Sequence, residues 1–156
     1  MQSRALAIQS RKDHIRYLAL AAAALVVLPY IPFGNLVLYP FMILSTWFHE
    51  MGHGLTAMLM GFQFQSLELL PDGSGFAVSR LPNDAGSFSQ AAVAAAGPLG
   101  PAVVGSLLIL ASPHEQMWKP VLYSLAAVIV LSTVIWVRST LGWIVLPGIA
   151  ILLVAI

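Results

Sequence analysis

The residues best suited to chemistry are His49, Glu50 and His53, in the run His49-Glu50-Met51-Gly52-His53. The pattern is H-E-x-x-H, a spacing that suits metal binding and proton transfer. Each residue of an α-helix turns by about 100°, so positions four apart fall on one face. On a helix, His49 and His53 point the same way and can hold one ion through two imidazoles. Glu50 lies beside them, able to reach a water on that ion without being a ligand. Zinc suits such a set, because it accepts imidazole nitrogen and keeps a position open for water.

These side chains lie in an otherwise apolar stretch from Leu36 to Met60. A charge in the middle of such a segment costs roughly 2.5–3.5 kcal/mol even on lenient insertion scales. The triad therefore implies an ion, water or a polar partner within the segment. A polar cluster that only ties helices together by hydrogen bonds is the plainer alternative. The whole chain is apolar too. Of its 156 residues 59% are hydrophobic and 8% charged, whereas soluble domains carry about 25% charged residues. Such a chain cannot cover its own surface in water and is expected to form one membrane-embedded domain over residues 1–156. It has no cysteine, which excludes disulfides and thiolate metal sites. A net charge of +1 gives no footprint for nucleic acid.

The expected fold is an all-α polytopic membrane protein with about five transmembrane helices and a small β-hairpin between the second and third. A basic start, with Arg4, Arg11, Lys12 and Arg16, precedes a first apolar run from Tyr17 to Tyr30. Prolines 29 and 32 close that run where a signal peptide would need small residues. Asn35 is a candidate N-cap for the second segment, 36–60, which spans about 37 Å as a helix. Gly52 and Gly54 beside His53 permit a close approach by another backbone, and Gly61 suits the helix end. From Phe62 to Pro82, Phe62, Phe64, Leu67 and Leu69 lie on either side of the polar residues Gln63, Gln65 and Glu68. With the turn Pro71-Asp72-Gly73-Ser74-Gly75 this predicts a hairpin at the membrane surface. Asn83 to Gly86 connects to a third segment, Ser89 to Ala111, opened by the capping box Ser87-Phe88-Ser89-Gln90. Gly97-Pro98-Leu99-Gly100-Pro101 predicts a kink or break within it. Ser112-Pro113-His114-Glu115 is a second capping box, opening a fourth segment to about Val137. A short turn, Arg138-Ser139-Thr140, leads to a last segment, Leu141 to Ile156, which has no polar flank, so the natural protein is expected to continue.

Basic residues favour the cytoplasmic side of a membrane. With the N-terminus in the cytoplasm, six of the seven, Arg4, Arg11, Lys12, Arg16, Arg80 and Arg138, fall inside and only Lys119 falls outside. The expected location is the cell membrane, with His53 nearer its cytoplasmic face.

A H-E-x-x-H run in a membrane helix, a short hairpin, then Ala96-Gly97-Pro98-Leu99 resembles the site-2 protease family of intramembrane zinc metallopeptidases, and most of all its compact bacterial branch. The resemblance covers about residues 47–110. It implies that His49 and His53 hold zinc and that Glu50 is catalytic, activating water. It also implies that the substrate is a membrane-anchored protein, cut within or beside its membrane segment, with a strand near the site holding it extended. Pro101 stands where many members have asparagine. The family's third ligand is an aspartate on a later membrane helix. Between Gln90 and Ile156 the only Asp, Glu or His residues are His114 and Glu115, at the outer end of the fourth segment. Asp72 and Asp84 precede the third helix, so the third ligand is expected beyond Ile156. A catalytically inactive scaffold of the same fold, binding transmembrane partners, is the alternative function. A small transporter would need ionisable residues deep in several helices, and here they lie in one.

Overall fold

The computed structural model describes residues 2–82, 85–111 and 115–155, with only the backbone described for 2–12, 14 and 115. Asp84, His114 and most of the expected 112–115 capping box lie outside these residues. Among the described residues there are five α-helices and one antiparallel hairpin: α1 (Gln2–Val27), α2 (Gly34–Leu59), β1 (Gln63–Leu69), β2 (Gly75–Arg80), α3 (Ser87–Ala111), α4 (Glu115–Trp136) and α5 (Thr140–Ala155). The chain forms two compact units, divided after Tyr39.

The first unit holds α1, a 3₁₀ turn at Leu28–Tyr30 and the first residues of α2. Ile31 N–H donates to Leu28 O at 3.1 Å, and Gly34 N–H to Ile31 O at 3.0 Å. Helix α2 thus starts at Gly34, before the expected cap Asn35.

The second unit is built on α2. Ile43, Trp47, Met51 and Ala57 are buried along one stripe at helical spacing. Leu122, Ala126, Ile129 and Thr133 form the matching buried stripe of α4, and Gly142, Leu146 and Ala150 that of α5. Trp47 Nε1 donates to Ser132 Oγ at 3.2 Å, joining α2 to α4. Both partners are at most 1% exposed; Ser132 Oγ also donates to Ile129 O at 2.9 Å, and its acceptance satisfies the buried indole N–H.

Helix α2 ends in a Schellman motif. Gly61 N–H bonds Met58 O at 3.0 Å, and Phe62 N–H bonds Ala57 O at 2.9 Å. Gly61 takes the required left-handed conformation, with φ of 81°. The chain then turns back into β1, which pairs with β2 from Gln63↔Arg80 to Leu69↔Gly75. A register shift between Phe64 and Ser66 absorbs one residue. It puts Phe64, Leu67 and Leu69 all on the buried face.

The hairpin folds back along α2. The Phe64 ring lies against Gly54, and its turn reaches the middle of α2, where Thr46 Oγ1 donates to Gly73 O at 2.6 Å. The far edge of β1 is covered as well. Leu67 bridges Val137 in parallel, Arg138 N–H donates to Leu67 O at 3.0 Å, and Leu69 N–H donates to Ser139 Oγ at 3.0 Å. Ser139 Oγ also accepts from Gly142 N–H at 3.3 Å and so caps α5. The last helix therefore starts beside Leu69, deep in the unit.

The expectation of about five transmembrane helices is wrong. Among the described residues two helices are long and apolar enough to cross a membrane, α3 and α4 from Gln116 onward. A third is reached only if Ile15–Tyr30 and Gly34–Leu59 are counted together as one broken span. The reasons are physical. Among the described residues helix α5 has 16, about 24 Å, against a hydrocarbon core of about 30 Å. Helix α1 spends its first half on basic and polar residues, and the His49-Glu50-His53 triad lowers the hydropathy of α2. The chain is a multi-pass membrane protein with fewer full crossings than its apolar runs suggest.

Helix α3 is not broken at Pro98 and Pro101 but runs as one helix across them. It also lacks the expected capping box, since Gln90 Nε2 donates to Ala85 O at 2.9 Å and its N–H to Gly86 O at 3.2 Å.

Candidate metal centre

His49 and His53 sit one turn apart on α2. Their ring centroids are 4.8 Å apart and the rings meet edge to face at 76°. Both face α3. The geometry can be read from Gly97, the buried residue of that helix. A methyl group built on Gly97 would collide with Nε2 and Cε1 of His53 and would lie 2.7 Å from Nε2 of His49. The two Nε2 atoms thus converge on one small space.

The second nitrogen of His53 fixes what the first can do. His53 Nδ1 lies 2.7 Å from Val93 O. A carbonyl oxygen only accepts, so Nδ1 carries the hydrogen and the neutral ring keeps its lone pair on Nε2. Metal-ligating histidines are commonly held this way, by a hydrogen bond from the other ring nitrogen.

Glu50 is 7% exposed and lies on the buried side of α2, next to Trp47 and Gly54 along the stripe. Burying an unpaired carboxylate is costly. Glu50 lies about 100° around α2 from His49 and about 60° from His53, at the border between the histidine face and the buried stripe of Trp47 and Gly54.

Helices α2 and α3 run antiparallel at a very short separation. A methyl group on Gly52 would strike Ala96 O, and one on Gly100 would strike Phe48 O. Small residues allow such an approach where apolar solvent gives helices no other reason to pack. Sequence reasoning marked Gly52 for a close approach but overlooked Val93 and the contact of Gly97 with both rings. The one local signal was the small-residue run around Ala96-Gly97.

Zinc is suited by two imidazole nitrogens on a shared side, of which His53 Nε2 is in the tautomer that can ligate. Among the described residues no group of three or more His, Cys, Asp or Glu side chains is placed to hold a metal ion. A complete set therefore needs a donor from outside them. A groove of about 780 Å³ lies elsewhere, between α4 and α5. Its lining, including Tyr123, Val130, Pro147 and Ile151, carries no His, Asp, Glu, Lys or Arg.

The sequence model of a family described as Peptidase M50B-like matches residues 17–156. No curated protein and no solved structure matches the chain.

Proposed function

Since this chain belongs to the Peptidase M50B-like family, the site-2 protease family, we propose that it is an intramembrane zinc metalloprotease cutting membrane-anchored proteins. The observation that carries this reading is the convergence of His49 Nε2 and His53 Nε2 on the face of Gly97, with Glu50 buried one residue away.

A zinc ion held by His49 and His53 supplies Lewis acidity to a water and to the scissile carbonyl. The protein's own groups do the rest. Val93 O holds the His53 ring in the tautomer whose Nε2 can ligate. Glu50 takes a proton from water on a carboxylate oxygen and delivers it to the leaving amide nitrogen, as a general base and then acid. A substrate helix must unwind first, because its carbonyls are occupied by its own hydrogen bonds. The hairpin offers a place for the unwound segment. One edge of β1 is paired with β2 and the other is bridged to 137–139. The outer edge of β2 remains for a strand to be added. Orientation follows from the basic residues, with the N-terminus in the cytoplasm of a cell membrane.

The incomplete ligand set among the described residues favours a second reading, a scaffold that binds transmembrane partners without cutting them. One experiment separates the two. The purified protein is reconstituted in liposomes with a membrane-anchored reporter, and cleavage is followed with and without a zinc chelator. Cleavage that stops on chelation and returns with zinc supports the protease. Cleavage indifferent to chelation, or none in zinc-loaded protein, overturns it.

A further inference from the structure

Three glycines line the crossing of α2 and α3, and they do different work. Gly52 and Gly100 each face a backbone carbonyl, Ala96 O and Phe48 O, and so set the distance between the helices. The three nearest atoms to a methyl group on Gly97 are all imidazole atoms, two from His53 and one from His49. The space left by that missing side chain borders the nitrogen lone pairs. An ion shared by two imidazoles must lie about 2.0–2.1 Å from each nitrogen. A methyl carbon pressed against the same nitrogens would push the rings away or shield their lone pairs.

From this we infer that Gly97 is a positioning residue for the metal: a side chain there excludes the ion, whereas one at Gly100 does not. The inference rests on the proposed metal centre. It goes further by assigning a metal-site role to a backbone position on α3, a helix that contributes no ligand among the described residues. Val93, one turn before Gly97, orients His53 from the same helix. Helix α3 thus both turns the ring and leaves room at its tip.

The test uses cobalt(II), whose visible absorption reports coordination by nitrogen without any turnover. Wild type, Gly97→Ala and Gly100→Ala are purified in detergent and titrated, with helix content and thermal midpoint recorded for each. In wild type a cobalt spectrum should develop and should be lost in His49→Ala. Gly97→Ala should bind cobalt on the order of 10–100-fold more weakly, the usual effect of disturbing the surroundings of a ligand. Gly100→Ala should lower the thermal midpoint yet keep the spectrum. Should Gly97→Ala fold poorly, the double variant with His53→Ala decides. Removing the ring should restore the thermal midpoint if the methyl collides with imidazole. Wild-type affinity and spectrum in Gly97→Ala would overturn the role of Gly97 alone, as would a midpoint not rescued by His53→Ala. A wild type that binds no cobalt would overturn the metal centre itself, and Gly97 with it.

Discussion

Glu50 and the two histidines show how much chemistry four residues of spacing can define. The i, i+4 relation was enough to bring the His49 and His53 rings within 4.8 Å on one face. It also put Glu50 about 100° around the helix from His49 and about 60° from His53. Under the proposed mechanism Glu50→Gln should lower cleavage by about 10²–10⁴-fold, the usual contribution of a general base. Zinc content and thermal midpoint should stay at wild-type values, because the amide is near-isosteric and is not a ligand. Cleavage rates beside metal analysis check both halves. What local spacing could not show is the partner of His53. Val93 lies 40 residues away in sequence, and its backbone carbonyl leaves no mark on residue type.

At the scale of elements, the glycines separate two kinds of constraint. Gly61 closes α2 at φ of 81° with nothing within 4 Å of a built methyl group. Gly61→Ala should therefore cost only the left-handed strain, about 1–2 kcal/mol. Gly52→Ala has no such strain but meets Ala96 O across the crossing, so it must force α2 and α3 apart. It should destabilise more than Gly61→Ala, as comparative unfolding in detergent would show. Trp47→Ala should cost about 3–5 kcal/mol, since the side chain is 1% exposed and its indole holds Ser132. The turn of the hairpin is legible in Pro71-Asp72-Gly73-Ser74-Gly75, where Gly73 takes φ of 87° and Ser74 N–H and Oγ both donate to Asp72 Oδ1. Its placement is not legible. Nothing in the strand residues announces the Thr46 contact, and the hidden bulge after Phe64 breaks the alternation on which a strand prediction relies.

For the whole molecule, counting apolar runs gave five crossings where length and composition support two, or three with the broken pair. The excess came from counting each apolar run as a span. Helix α5 starts beside Leu69, tied there by Ser139, and among the described residues is shorter than a full span. The proposed sidedness can be read with single cysteines, because the sequence has none of its own. Cysteines at Ser10 and Asn83 should be labelled from the cytoplasm, and at Gln116 from the outside. The reverse pattern would invert the orientation. Whether this molecule is a metal-dependent hydrolase rests on one measurement above the others, the zinc content of the purified protein compared with that of His49→Ala and His53→Ala. About one zinc per wild-type chain and a loss in both variants is the result predicted by two imidazoles turned to one space. Equal zinc in all three proteins, or none in wild type, would contradict the proposed metal centre and the hydrolysis built on it.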